Sequence, residues 1–151
     1  METVIKKTLL LLISISLFSF QLKEEETYSL TITVNDLRNS EGVVQFAIYN
    51  TEGSIPDEKY KNYYKKEIAK IKSNTSTITF YDLPRGIYAV NVLHDENKNG
   101  KIDKKFLLPL PKEGVGFSNY ESLGISNRPK FSKASFVVNT NTTKIIKIIY
   151  M

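Results

Sequence analysis

Residues 87–94 read Ile-Tyr-Ala-Val-Asn-Val-Leu-His and carry the strongest strand pattern in the chain. Tyr88, Val90 and Val92 share one face of this segment, because successive side chains of a strand point to opposite sides. The other face carries Ile87, Ala89, Asn91 and Leu93. The segment just before it, residues 82–86, has a proline that presets φ and a glycine that accepts a positive φ, as a turn requires.

The same alternation with period two recurs on both sides of this strand. It predicts strands at residues 28–35, 43–49, 68–72 and 76–81 before it, and at 133–138 and 143–150 after it. The last two are joined by Asn-Thr-Asn at residues 139–141, which is a hairpin signal. Residues 145–149 are apolar on both faces, so the last strand is expected to lie inside a sheet.

One segment departs from the strand pattern. Residues 54–60 combine a proline with acidic residues, as the first turn of a helix often does. Tyr60, Tyr63 and Tyr64 follow at helical spacing. These features predict a short helix at about residues 57–65, on a connection that crosses the fold. We expect its tyrosines to pin it to a sheet, with a ligand platform as the alternative.

Taken together, the pattern predicts an all-β fold of about seven strands, with turns at the spacing of a sandwich. Neither βαβ alternation nor a sequence repeat is present. We expect an antiparallel β-sandwich, immunoglobulin-like or prealbumin-like, formed by residues 27–151 as a single domain. A chain of this length can bury a core without disulfides, and this one has no cysteine.

Composition limits the classes of function. The absence of cysteine excludes a thiolate metal site and a cysteine nucleophile, and a single histidine excludes a histidine pair. A hydrophobic fraction of 41% and a charged fraction of 25% are ordinary for a globular protein, which excludes collagen, complete disorder and a multi-pass membrane protein. The basic residues are scattered rather than gathered in a stripe, so no nucleic-acid binding is expected.

Residues 1–20 have the features of a secretory signal peptide. Lys6 and Lys7 precede an uncharged, mainly apolar stretch from Thr8 to Leu22. That stretch is shorter than the roughly 20 apolar residues of a membrane-spanning helix. Cleavage near Ser19 would leave residues 21–26 as a short polar lead-in, while an uncleaved anchor is the alternative. The prediction is export to the periplasm, the cell envelope or the medium.

A pattern typical of metal-binding loops occurs at residues 94–103, His-Asp-Glu-Asn-Lys-Asn-Gly-Lys-Ile-Asp. Side-chain oxygens at alternate positions are followed by a glycine, as in the first six positions of a calcium loop, D-x-[DN]-x-[DN]-G. Calcium takes about six to eight hard oxygen ligands, and a looped backbone converges alternate side chains on one point. The predicted ligands are Asp95, Asn97, Asn99, the main-chain carbonyl of Lys101, and Asp103.

The second half of this loop departs from the calcium pattern. Its twelfth position is Phe106, where a bidentate glutamate would be expected. Any site should therefore be weak, in the millimolar class of extracellular modules. A remote acid, Glu113 or Glu121, could complete it. The alternative is a polar turn that is stabilised only by hydrogen bonds from side chains to the backbone.

His94 is the chain's one histidine and lies at the end of the predicted strand. A metal-assisted hydrolase would need His94, Asp95 and Glu113 together in one pocket. Neighbouring residues of a strand point to opposite faces, so His94 and Asp95 need not cooperate. We expect His94 to pack or to form hydrogen bonds at the mouth of the loop, and we predict no catalytic residue.

Three segments form a recognisable set: Leu-Pro-Arg-Gly-Ile-Tyr-Ala-Val at 83–90, the run at 94–103, and Glu-Gly-Val-Gly-Phe-Ser-Asn at 113–119. With Leu-Arg-Asn-Ser-Glu-Gly-Val-Val at 37–44, the chain resembles the DUF2141 family of exported bacterial proteins. The resemblance implies a secreted or envelope protein with no established biochemical role and no catalytic residues to carry over. Residues 107–110, Leu-Leu-Pro-Leu, are more apolar than expected for the family.

These observations predict a non-enzymatic envelope or secreted module. It would bind a surface partner, a glycan or a protein, or serve structurally, with calcium ordering the loop at 95–103. Two alternatives remain. One is a metal-assisted hydrolase that uses His94 and nearby carboxylates; the other is a prealbumin-like carrier of small ligands, which would need an oligomer with a central channel.

Overall fold

The computed structural model describes residues 25–107, 110–124 and 126–151. The predicted signal segment, residues 1–20, lies outside the described residues. Within them the chain forms a one-turn helix, α1 (Phe131–Ala134), and eight strands. The strands are β1 (Thr27–Val34), β2 (Val43–Tyr49), β3 (Lys65–Ala69), β4 (Ser76–Pro84), β5 (Gly86–Asp95), β6 (Gly114–Phe117), β7 (Phe136–Val138) and β8 (Thr142–Ile145).

The strands form two sheets, which confirms the predicted all-β sandwich. One sheet has the order β4-β1-β8 and the other β3-β2-β5-β6, with β7 pairing the start of β5. The pairings are antiparallel except that of β8, which runs parallel to β1. A fully antiparallel fold was predicted. The difference arises because residues 139–141 do not close a hairpin but carry the chain from β7 in one sheet to β8 in the other.

The core lies between the sheets and is built from alternate residues of the strands. β5 contributes Tyr88, Val90 and Val92, the residues of one of its two faces. The opposing sheet contributes Leu30, Ile32 and Val34 of β1, all fully buried. The outer face of β2 and β5 is also covered, because loops and α1 pack on it. This second cluster includes Ala47, Tyr49, Tyr60, Ala89, Leu93, Phe117, Tyr120 and Phe131.

The predicted helix at 57–65 is wrong: these residues form turns that lead into β3. Tyr60 has a φ of +50°, which a right-handed helix does not allow. Its side chain is buried and its hydroxyl bonds Asn91 Oδ1 at 3.1 Å, while Tyr63 and Tyr64 are 39% and 40% exposed. Tyr60 is thus the buried tyrosine of this segment, while the centroid of the partly exposed Tyr64 ring lies 5.9 Å from that of the Tyr88 ring on β5. No helix in the described part of the chain is long and apolar enough to cross a membrane.

The last predicted strand, 143–150, is shorter than expected and lies at an edge of its sheet. β8 ends at Ile145, which is 70% exposed. Ile146 and Ile148 are buried in the core, and Ile149 pairs through its backbone with Val115 of the other sheet. The segment is apolar on both faces because it passes from one sheet to the other, and not because it lies inside one. Residues 133–138, predicted as one strand, divide between α1 and β7.

Candidate functional site

Asp95 ends β5 and begins the predicted calcium loop. Its side chain is buried, and its carboxylate accepts hydrogen bonds from the backbone of later residues in the loop. Oδ1 accepts the backbone N–H of Asn99 at 3.0 Å, and Oδ2 accepts that of Gly100 at 2.7 Å. Gly100 has a φ of +76°, the left-handed conformation that favours glycine. The loop is therefore preformed around the first predicted ligand.

Three more of the predicted ligands converge within the loop. The side-chain nitrogens of Asn97 and Asn99 each donate to Asp103 Oδ2 at 2.7 Å. Their Oδ1 atoms accept the backbone N–H groups of Asn99 and Lys101, both at 3.0 Å. In this state the amide nitrogens, and not the amide oxygens, face the Asp103 carboxylate. The hydrogen bonds match the predicted polar-turn alternative, and a cation at this point would require both amides to turn.

Glu113 reaches the loop from the segment that precedes β6. The register pairs His94 with Gly114, and continuing it by one residue brings Glu113 opposite Asp95. Side chains of opposed residues share one face of an antiparallel pair. Glu113 is only 3% exposed; its Oε1 accepts the backbone N–H of Glu96 at 3.0 Å, and its Oε2 is buried without a hydrogen-bond partner.

Of the two acids expected to complete the loop, only Glu113 lies there. Glu121 pairs with Lys147 at 3.4 Å, and its side chain is 86% exposed. Burial, and next the charge of Asp95, raise the pKa of Glu113, while backbone N–H groups of Asn97 and Glu96 act in the opposite direction. The site thus holds a carboxylate whose charged form is disfavoured by its surroundings.

The carboxylates of Asp95, Asp103 and Glu113 have no cationic neighbour in the described parts of the chain. No lysine, arginine or histidine nitrogen there lies within 4.0 Å of their oxygens. Among the same residues, however, no three acidic or histidine side chains are placed to hold a metal by themselves. A cation here would rely on amide and main-chain oxygens as well as carboxylates, which are the ligands calcium takes.

Gln45 is a member of the site that the sequence pattern did not indicate. It lies on β2 and is fully buried beneath the loop. Its side-chain nitrogen lies 3.4 Å from the Gly100 carbonyl oxygen, and its Oε1 has no hydrogen-bond partner. The available signal was a polar residue in the middle of an otherwise apolar strand.

His94 does not belong to this loop site. It is fully buried on the face of β5 that carries Val92, so it points into the core between the sheets, away from Asp95. Nε2 donates to the Glu41 carbonyl oxygen at 3.0 Å, and Nδ1 bonds the Tyr150 hydroxyl at 2.7 Å. Both ring nitrogens are engaged within the fold, as expected of a structural histidine.

Glu96, the second residue of the loop, is held from outside by a basic partner. The Arg38 guanidinium bonds both carboxylate oxygens, with Nε to Oε1 at 2.7 Å, and Asn39 Nδ2 adds a bond at 2.8 Å. The Arg38 bonds are the main cause that lowers the pKa of Glu96 to about 2. This pair fixes the start of the loop to the connection between β1 and β2.

A cavity of about 210 Å³ lies beside the loop. Its walls are mainly apolar and include Ile102, Val115, Phe117 and Leu123, with Arg128 among the lining residues. Pockets for small molecules are usually larger, on the order of 300–1,000 Å³. The cavity is therefore small for a ligand of that size.

A protein family described as "Uncharacterized protein conserved in bacteria (DUF2141)" matches residues 32–146. The match extends from β1 past the end of β8 and includes the whole loop and Glu113. No curated protein and no solved structure gives a significant match. The resemblance noted in the sequence is confirmed, and the chain belongs to the DUF2141 family.

Proposed function

We propose that this chain is an exported, non-enzymatic module of the cell envelope or the extracellular space, whose Asp95–Asp103 loop binds calcium weakly with Glu113 as an additional ligand. The observation that carries the proposal is the buried, unpartnered Oε2 of Glu113 beside a loop with the first half of a calcium motif. Bound calcium would order the face of the sandwich that contacts an envelope or extracellular partner, a glycan or a protein.

Electrostatics support a cation at this position. Burying a carboxylate without a compensating charge is costly, and Asp95 and Glu113 are both buried. A carboxylate has about four lone-pair positions, so Asp95 can keep its two backbone hydrogen bonds and still bind a cation. Calcium would remove the repulsion between these carboxylates without the loop having to open.

The state of the two asparagines supports weak binding. To ligate calcium, Asn97 and Asn99 must turn their side-chain oxygens toward Asp103. Each turn gives up the 3.0 Å hydrogen bond that the amide oxygen accepts from a backbone N–H. This loss offsets part of the gain, so we expect affinity in the millimolar class.

A non-enzymatic role is supported by how the candidate catalytic groups are used. His94 has both ring nitrogens in hydrogen bonds of the fold, and Glu96 is held by Arg38. His94 and Asp95 also face opposite sides of β5, so they do not form one catalytic pocket. Export is supported by the charged and apolar segments at residues 6–22.

The calcium part is tested by calorimetric titration of calcium chloride into the protein. We expect millimolar binding that is lost in D95A, with a folded D95A protein. E121Q is the matched control, because Glu121 is exposed and lies away from the loop. Equal affinity in D95A and the unmodified protein, or no binding in either, contradicts the proposal.

Export is tested separately. The gene is expressed in a bacterium, the cells are fractionated, and the N-terminus of the recovered protein is determined. We expect a protein outside the cytoplasm that begins near residue 20. Cytoplasmic protein that begins at Met1 contradicts this part of the proposal and leaves the calcium part standing.

A further inference from the structure

Residues 103–107 and 110–112 form the two sides of a narrow arm beside the proposed calcium loop. Its two sides are held together by backbone hydrogen bonds, from Lys105 N to Leu110 O at 2.9 Å and from Lys112 N to Asp103 O at 2.8 Å. A bridge between Lys104 and Pro111 lies between them. The arm is thus a built element with a hydrogen-bonded base.

Two apolar side chains lie toward the end of this arm. Phe106 is 100% exposed and Leu107 is 85% exposed, more than any other large apolar residue in the described parts of the chain. A single exposed leucine is ordinary on a protein surface. Two adjacent, almost fully exposed apolar residues on a structured arm indicate contact with something outside the chain.

Lysines precede and follow these two residues along the chain. Lys101 precedes the arm, and the arm itself carries Lys104, Lys105 and Lys112. Lys104 pairs with Glu58 at 2.8 Å. In the described parts of the chain, the other three have no carboxylate within 4.0 Å of their ammonium groups. Four lysines thus stand against Asp103 and the Glu58 partner of Lys104, which leaves a net charge of about +2 around the apolar end for a partner.

We propose that this arm binds the surface of an anionic lipid bilayer, with Phe106 and Leu107 inserted at the boundary of headgroups and acyl chains. Interfacial membrane binding combines apolar insertion with electrostatic attraction to anionic lipid. The lysine stems are long enough to lie along the apolar region while the ammonium groups remain at the headgroups. Charge complementarity favours a bilayer with net negative charge over a zwitterionic one. The attachment is peripheral and does not depend on the calcium loop.

The test is a co-sedimentation assay that measures how much protein pellets with lipid vesicles. The protein used is residues 25–151, which contain both sheets and the complete core. EDTA is present throughout, so that calcium is not involved. We expect binding to vesicles that contain phosphatidylglycerol, weaker binding to pure phosphatidylcholine, and release at about 0.5 M salt, where charges are screened within a few ångströms. The double variant F106S/L107S should bind at least about tenfold more weakly.

A matched control separates the arm from general surface apolarity. I68S/I145S removes two exposed apolar side chains from β3 and β8, which are 55% and 70% exposed. It should bind vesicles like the unmodified protein, and both double variants should keep the unmodified melting temperature. The proposal is overturned if the unmodified protein stays in the supernatant with both vesicle types, as a protein or glycan partner would predict. It is also overturned if the two double variants lose binding equally.

Discussion

The Glu113 carboxylate accepts the backbone N–H of Glu96 at 3.0 Å, and this bond joins the segment before β6 to the loop that follows β5. Seventeen positions separate the two residues in sequence. The candidate calcium site is therefore made from two segments that the sheet brings together. A peptide of residues 95–106 alone would lack the Glu113 carboxylate and therefore part of the proposed ligand set.

Replacing Glu113 by glutamine removes the charge of the side chain but keeps an oxygen that can accept its hydrogen bond. The amide oxygen of the new side chain can still accept the Glu96 N–H, while the repulsion from Asp95 disappears. Because burial and Asp95 raise the pKa of Glu113, its ionised form destabilises the fold above that pKa. We expect E113Q to melt at the same or a higher temperature than the unmodified protein in EDTA at neutral pH.

The same variant should no longer respond to calcium. At calcium concentrations about tenfold above Kd, binding stabilises the unmodified protein by about 1.4 kcal/mol. We expect this increment to be lost in E113Q and kept in E121Q, as measured by calorimetric melting with EDTA and with about 10 mM calcium. A full calcium increment in E113Q would show that Glu113 is not a ligand, even if calcium binds elsewhere in the loop.

The ion pair between Arg38 and Glu96 predicts a loss of stability in acid. The folded-state pKa of Glu96, about 2, lies below its ordinary value of 4.5. The pair therefore stabilises the fold above about pH 4.5, and this contribution is lost as the pH falls from there toward 2. R38A should cost about 1 kcal/mol at pH 7, because the pair is bidentate but partly exposed.

The pH dependence distinguishes this pair from general acid unfolding. Urea unfolding of R38A and the unmodified protein should differ at pH 7 and converge near pH 2. R85A is the control, since Arg85 lies exposed in the turn between β4 and β5. A stability difference for R38A that stays constant between pH 7 and pH 2 would show that Glu96 is not the group that Arg38 stabilises.

Features set by neighbouring residues could be predicted from the sequence, whereas contacts between residues that are distant in sequence could not. Alternation indicated β5 and the residues that share each of its faces, and the Asp-x-Asn-x-Asn-Gly spacing indicated the loop, because both patterns act over a few neighbouring residues. Tyr60 shows the limit of such patterns, since spacing predicted a helix where φ is +50°. The sequence could not choose between Glu113 and Glu121, because the β5–β6 register is what brings Glu113 to the loop. It could not assign Gln45 to the site either, because that requires knowing that β2 lies beneath Gly100.

His94 should contribute to stability and not to calcium binding. H94A removes two buried hydrogen bonds and leaves a cavity in the core, so we expect a loss of about 3 kcal/mol in urea unfolding. Y150F removes the hydroxyl that bonds His94 Nδ1 and should cost about 1–2 kcal/mol. Calcium affinity, measured below the unfolding transition, should be unchanged in Y150F. The same hydroxyl accepts the backbone N–H of Arg38 at 3.2 Å, so a marked loss of calcium binding in Y150F would instead connect the His94–Tyr150–Arg38 contacts to the loop.

Gly42 supports the start of the loop through a close backbone contact. An added Cβ at Gly42 would lie 2.1 Å from the Asp95 carbonyl oxygen and 2.6 Å from Glu96 Cα, both rigid backbone atoms. Gly53 has a similar φ, +78° against +73°, but nothing lies within 4 Å of its added Cβ. Replacing glycine by alanine should therefore have the same conformational cost at both positions. Only at Gly42 does the added Cβ also clash with the backbone of Asp95 and Glu96.

The comparison of G42A with G53A therefore isolates the contact with the loop. We expect G53A to lose about 1 kcal/mol, the cost of a left-handed conformation for alanine. G42A should lose several kcal/mol more, because the clash must displace Asp95 or Glu96. The displacement also moves the Asp95 carboxylate, so folded G42A should bind calcium more weakly than G53A in the calorimeter. Equal unfolding free energies for the two variants would show that β2 and the loop are not in the close contact on which the geometry of the site depends.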